Sequence, residues 1–184
     1  MMAETSNVKY VQEARLLGAG AKANRRAEDF YVTPVFAIKA LQERETFNGV
    51  GWEPACGDGR IAKMLGCERA TDIRPETGAG GGIDFLLEQC EVDFIVTNPP
   101  YSLALQFVKH ALECAPKVAM LLRLQFLEGK ERRAFFAKWP PARIYVFSER
   151  LNCDPDSDGK GGMMCFAWFI WERSYHGLPI LSWI

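Results

Sequence analysis

Histidine is scarce in this chain of 184 residues, with only His110 and His176 present. The six cysteines (56, 67, 90, 114, 153 and 165) stand at least 11 positions apart and never form a Cys-x-x-Cys pair. No zinc-type site can be assembled from that spacing, and the cysteines read as reduced and structural. Long apolar runs are missing too. The uncharged stretch near the C-terminus, Gly161 to Trp171, covers 11 residues, whereas crossing a bilayer takes roughly 20. No basic start followed by an apolar run opens the chain, so a cytoplasmic protein without a secretory signal is expected. Net charge is −1, which removes any whole-molecule attraction to nucleic acid.

What is there is ordinary in bulk and uneven in detail. Apolar residues make up 48% and charged residues 24%, as in globular proteins, and the length fits one domain. From Lys117 to Arg150 eight basic residues face three acidic ones, whereas from Gln42 to Phe94 eleven acids face five bases. A polyanion can meet the first region and a cationic ligand the second, although solvated helix faces give the same pattern.

Residues 1–28 are polar and read as a loosely held arm. From Asp29 onward short apolar runs alternate with helical segments. Pro34 opens a helical pattern (Val35, Phe36, Ile38, Leu41). Strands are expected at 49–53, 69–73, 93–97, 117–122 and 143–147, and helices at 58–65, 102–115 and 130–138. Such alternation predicts an α/β fold, a parallel sheet wrapped on both faces. The apolar run Met163–Trp171 follows a turn-rich segment rather than a helix, so it is expected to return antiparallel. Gly78–Gly82 reads as a flexible connection, and Met163, Met164, Trp168 and Trp171 as core.

Two constellations carry chemistry. The first is Glu53-Pro54-Ala55-Cys56-Gly57-Asp58-Gly59-Arg60, joining a strand to a helix. With Ala62 it satisfies the dinucleotide fingerprint Gly-x-Gly-x-x-Ala. Charge argues against a dinucleotide: Glu53 ends the strand and Asp58 sits between the glycines, where a pyrophosphate needs bare amides. Two carboxylates suit a cation, such as the sulfonium and ammonium groups of S-adenosylmethionine. Asp72, followed by Ile73, ends the next strand and can accept ribose hydroxyls. Asp84-Phe85 can offer an acceptor and a ring to adenine. The second constellation is Asn98-Pro99-Pro100-Tyr101, closing the strand Asp93–Thr97. Adjacent prolines stop a strand and hold its carbonyls rigid. The two constellations are expected to share a cleft beyond the carboxyl ends of neighbouring strands.

Together these residues resemble the S-adenosylmethionine-dependent amino-methyltransferases, and more closely the small DNA adenine methyltransferases of bacteriophages and prophages. The resemblance spans about Asp29 to Trp171. It implies a Rossmann-like methyltransferase fold over 29–184, a mostly parallel seven-stranded sheet with one antiparallel strand near the C-terminus, and no separate target-recognition domain. Tyr31, Thr33 and Pro34 match an upstream cofactor motif. Glu53, Ala55, Cys56, Gly57, Asp58 and Gly59 match the glycine loop, Asp72 and Ile73 the ribose-binding strand end, and Asp84 and Phe85 the adenine pocket. Asn98, Pro99, Pro100 and Tyr101 match the catalytic tetrapeptide, with Asn98 also lining the cofactor site.

The implied reaction transfers a methyl group to the exocyclic amino group of adenine in DNA, expected to be double-stranded, and leaves S-adenosylhomocysteine. Asn98 and the Pro99 carbonyl would draw the amino group towards a tetrahedral geometry, while Tyr101 stacks on a base turned out of the duplex. Lys130, Arg132, Arg133 and Arg150 are candidate phosphate contacts. Lys22, Arg25, Arg26 and the loop Ser148–Gly162 are left to read a short or permissive target. One departure stands out. Relatives tend to carry Arg-Pro-x-Phe where this chain has Arg150-Leu151-Asn152-Cys153. The tetrapeptide is shared with enzymes that methylate protein glutamine or RNA guanine, and a non-catalytic nucleic-acid-binding module is the alternative of another class.

Overall fold

A computed structural model describes residues 31–77, 80–154 and 157–184. The arm expected over 1–28, with Lys22, Arg25 and Arg26, lies outside them. Helix α1 (Val35–Gln42) starts directly after Pro34, whose φ of −58° is preset for a helix entrance, and buries Ala37, Ile38 and Leu41. Strand β1 (Gly51–Glu53) leads through the glycine loop into α2 (Arg60–Leu65), which is bounded on each side by a left-handed glycine, Gly59 and Gly66. Strand β2 (Arg69–Ala70) is short, and β3 (Phe94–Thr97) ends at the Asn-Pro-Pro-Tyr turn. Helix α3 (Ala104–Cys114) buries positions 104, 107, 108, 111 and 114, the stripe of an amphipathic helix. Then follow β4 (Lys117–Arg123), α4 (Lys130–Lys138), β5 (Arg143–Val146), β6 (Phe166–Glu172) and β7 (Ile180–Trp183).

The seven strands form one sheet in the order β2-β1-β3-β4-β6-β5-β7. Only β6 runs antiparallel to its neighbours, β4 and β5, so the single reversed strand falls where the sequence put it. Strand β7 extends the sheet parallel to β5 and was not located from sequence. Its four residues are largely exposed, and too few of them face a core to print an apolar pattern.

The central strands are buried on both faces, which is why they read as unbroken apolar runs. Val118, Met120 and Leu122 of β4, with Ala167, Phe169 and Trp171 of β6, join the core under α3. Ala119 and Leu121, with Phe166, Trp168 and Ile170, join the opposite core under α1 and α2. Two expectations fail here. The last long strand starts at Phe166 rather than Met163, and Met163 is 85% exposed instead of lying in the core. A backbone hydrogen bond from Gly161 to Arg150 and a bridge between Leu151 and Lys160 turn the preceding segment back on itself before the strand begins.

Strand order places the site. The chain leaves β1 for β2 on one side and comes back to β3 on the other, with both pairings parallel. The crevice beyond the carboxyl ends of β1 and β3 is therefore the switch point of the sheet, where ligands of such folds bind.

Candidate active site

The glycine loop leaves β1 with Gly57 and Gly59 both at positive φ, 53° and 74°. A side chain at either would be strained, and the Cβ position of Gly59 faces open space. Glu53 is 1% exposed and accepts from the Ala62 amide at 2.6 Å, satisfying one of the orphan donors at the start of α2. Burial pushes its carboxyl up to about 9, and the nearby Asp58 and Asp72 charges add to that against the pull of the Ala62 amide. Glu53 is therefore protonated at neutral pH. Asp58 is drawn into an ion pair with Arg60 at 2.6 Å. The negative charge expected of this loop is thus largely compensated within the protein. Cys56 is a buried thiol, its ionisation also opposed by burial, which pushes it to about 11, and Ala55 is half-buried beside it.

Asp72 closes the loop from the neighbouring strand. Its carboxylate accepts from the Gly57 amide at 2.9 Å and from the Arg74 backbone and side chain at 2.9 and 3.0 Å. Burial raises its pKa, but the hydrogen bonds from Arg74 and Gly57 outweigh that and hold it below the ordinary value. Ile73, next to it, is 65% exposed. The described glycines of the expected flexible connection are tied down: Gly80 and Gly81 lie along Asp72, and the Ile83 amide donates to the Asp72 carbonyl. Asp84 caps a short 3-10 turn (Phe85–Leu87) by accepting from the Leu86 amide. The reading of Phe85 as a ring lining an adenine pocket is corrected. It is 1% exposed and packs edge-on against Trp52 and His110 and obliquely against Phe107, because the turn capped by Asp84 aims it inward.

Asn98 follows β3 and is fixed from one side. Its Nδ2 donates to the Thr33 hydroxyl at 3.1 Å and the Tyr31 carbonyl at 3.3 Å. The Tyr31 carbonyl, which can only accept, sets which way the amide points. Its Oδ1 is buried and has no partner among the described residues. Thr33 also offers its carbonyl to Arg60 at 3.1 Å, so the segment Tyr31–Pro34 ties the glycine-loop helix to the tetrapeptide. Pro99 is buried, and Pro100 (φ −58°) leads into a 3-10 turn (Tyr101–Leu103). The Tyr101 ring packs against Tyr31 at 5.2 Å and Phe166 at 5.6 Å between centroids. Burial, together with Cys153 alongside, drives its hydroxyl well above the usual tyrosine range. Cys153 is a weak neighbour rather than a well-formed hydrogen-bond partner, as sulfur usually is.

No protein-family model and no curated protein matches the sequence. Solved structures do match the fold. A methyltransferase subunit of a type I restriction-modification system from Streptococcus thermophilus superposes with a TM-score of 0.59 at 13% identity, covering 82% of this chain and 46% of that one. The 23S rRNA methyltransferase ErmE gives 0.56 at 16% identity, covering 83% and 72%. Magnesium protoporphyrin IX methyltransferase from Synechocystis, solved with S-adenosylmethionine bound, gives 0.50 at 12% identity, covering 74% and 76%. This is the Rossmann-like methyltransferase fold. The chain spans about half the length of the type I subunit.

Within that methyltransferase fold the residues present suit S-adenosylmethionine. Gly59 leaves open space where a Cβ would stand, Asp72 and Ile73 follow the end of the neighbouring strand β2, and the buried Asn98 Oδ1 has no hydrogen-bond partner among the described residues. One residue went unnoticed in the sequence. Arg123 ends β4, and its guanidinium carbon lies 4.3 Å from the centre of the Tyr101 ring. An arginine closing an apolar strand, parallel to the strand that ends in Asn-Pro-Pro-Tyr, was the available signal.

The basic residues are dispersed. Lys130 and Arg133 are exposed on the first turn of α4, whereas Arg132 turns back to the Gln125 carbonyl at 2.6 Å. Arg150 is exposed in the loop after β5 and reaches the Met163 carbonyl at 3.4 Å. That loop is joined to the site by the Val32 amide, which donates to the Cys153 carbonyl.

Proposed function

We propose that this chain transfers a methyl group from S-adenosylmethionine to the exocyclic amino group of adenine in DNA, with the base turned out of the duplex. The observation that carries the reading is the Asn98 Oδ1 atom, a buried acceptor without a hydrogen-bond partner among the described residues, at the switch point of a methyltransferase fold. A buried acceptor left unpaired costs about 1–3 kcal/mol, which a donor on the substrate recovers. The Gly57–Gly59 loop, Asp72 and Ile73 are the residues that would hold the cofactor, with the buried Glu53 bracing the start of α2 behind them. When bound, it supplies the electrophilic methyl group.

The protein's part is positioning. An exocyclic amino nitrogen conjugated to its ring is a poor nucleophile because its lone pair is delocalised. Asn98 Oδ1 accepts one amino hydrogen and the Pro99 carbonyl a second, which draws the nitrogen towards a tetrahedral geometry and frees the lone pair. Thr33 and the Tyr31 carbonyl hold the Asn98 amide in the required orientation before substrate arrives, so no reorganisation is needed at the moment of reaction. Tyr101 provides the aromatic surface for the extruded base, where stacking returns roughly 1–3 kcal/mol against the cost of unstacking. In this reading Lys130, Arg133 and Arg150, exposed on the surface, would contact phosphates without reading sequence.

The test is mass spectrometry of nucleosides after the purified chain is incubated with S-adenosylmethionine and unmethylated duplex DNA. A 6-methyladenine peak is expected, and Asn98→Ala should lower it by about 100- to 1,000-fold while cofactor affinity by calorimetry is kept. Absence of any methylated adenine, with the cofactor bound, would overturn the DNA reading in favour of an RNA or protein substrate.

A further inference from the structure

We propose that Arg123 is a target-binding residue of this site, its guanidinium laid over Tyr101 so that the buried Nε–H meets a hydrogen-bond acceptor on the extruded nucleotide. The inference rests on the DNA reading above. Four buried side-chain polar atoms have no hydrogen-bond partner among the described residues: Thr97 Oγ1, Asn98 Oδ1, the Tyr101 hydroxyl and Arg123 Nε. Three of them, Asn98 Oδ1, the Tyr101 hydroxyl and Arg123 Nε, stand at the carboxyl ends of β3 and β4, neighbouring parallel strands, on the face that holds Tyr101, whereas Thr97 shares the opposite face with Ile95. Native proteins seldom bury such atoms unpaired, and three together mark a place where a polar ligand completes the set.

The pair at its centre is complementary to a nucleobase. Asn98 Oδ1 is an acceptor and suits an amino group. Arg123 Nε is a donor and suits a ring nitrogen or a phosphate oxygen of the same nucleotide. A guanidinium stacked on an aromatic ring keeps its edge free to donate, which the spherical ammonium of lysine does not. The stacking is fixed from behind, because Arg123 lies opposite Phe166 in the β4–β6 ladder and the Phe166 ring itself packs on Tyr101. The alternative role, a positive charge that merely steadies Tyr101, asks only for a cation and leaves the buried N–H unexplained.

Two substitutions separate these roles. Arg123→Gln places an amide N–H where Nε stands, without the charge, while Arg123→Lys keeps the charge over Tyr101 and puts a methylene at that point. In steady-state methylation of duplex DNA by the full chain, Arg123→Lys is expected to lose about 10- to 100-fold in kcat/KM and Arg123→Gln distinctly less, with S-adenosylmethionine affinity within about twofold for both. A salt dependence of KM weakened by about one unit of log–log slope in Arg123→Gln identifies a phosphate oxygen as the acceptor; an unchanged slope identifies a ring nitrogen. If Arg123→Lys is the better enzyme, or if both variants match the wild type, the proposal is wrong. A wild-type chain that methylates no DNA overturns the functional reading itself, and this inference with it.

Discussion

At the scale of single residues the site is defined by how charge is hidden. Glu53 sits at the end of β1 with its carboxyl pushed up to about 9 by burial. The folded chain thus keeps a proton that the unfolded chain releases near the ordinary carboxyl value. Stability from this group is complete below about 4.5 and is lost as pH rises towards 9. Glu53→Gln, which keeps an oxygen for the Ala62 amide, removes that dependence. Its unfolding free energy should gain on the wild type between those limits, by up to roughly 1.4 kcal/mol per pH unit in urea melts. Asp72→Asn should weaken S-adenosylmethionine binding by about 10- to 100-fold, the worth of one hydrogen bond to a charged group; unchanged affinity in calorimetry would remove Asp72 from the site. Residue types at both positions were legible in the sequence. Their charge states were not, because the burial of Glu53 and the hydrogen bonds of Asp72 with Gly57 and Arg74 exist only in the folded geometry. Phe85 failed for a related reason, since the sequence does not say which way a capped turn aims its first ring.

At the scale of elements, patterning carried most of the fold. Strands β1, β3, β4, β5 and β6 and helices α1 to α4 lie where apolar runs and helical spacing put them, with shifts of a few residues at their ends. Strand β2 has shrunk to two residues and β7 escaped notice, both at sheet edges where burial is one-sided or slight. The sequence also gave no hint of how α1 is held. Trp168 is fully buried in β6 and donates its indole N–H to the Ala37 carbonyl at 2.8 Å. Trp168→Phe keeps a ring but removes this second hydrogen bond to a carbonyl already used within the helix, and about 0.5–1.5 kcal/mol should be lost in urea unfolding. Because α1 begins only two residues after Thr33, the same substitution should loosen Asn98, seen as faster exchange of the Asn98 and Tyr101–Leu103 amides.

At the scale of the whole molecule the two edges of the sheet are built differently. The carboxyl edge collects unpaired polar atoms, whereas the amino edge collects satisfied charges. Glu45 accepts from Lys117, Arg143 and Tyr145, and Glu172 binds the same two cations. Burial raises the Glu45 pKa, yet these hydrogen bonds outweigh it and hold the carboxyl below its usual value, so its stabilisation is lost as pH falls through that lowered value. Glu45→Ala should cost about 3 kcal/mol, the low end for a broken buried pair because Glu172 remains, while cofactor affinity at the far edge is unchanged. The reversed strand has a consequence of another kind. β4 is hydrogen-bonded on one side to β3, which precedes it, and on the other to β6, which follows β5 and a long loop. A ribosome adding ~5–20 residues per second therefore releases β4 seconds before its second partner exists. During that interval the nascent protein presents Val118–Leu122, an apolar strand with one side open to pairing with another chain, until residue 172 has emerged.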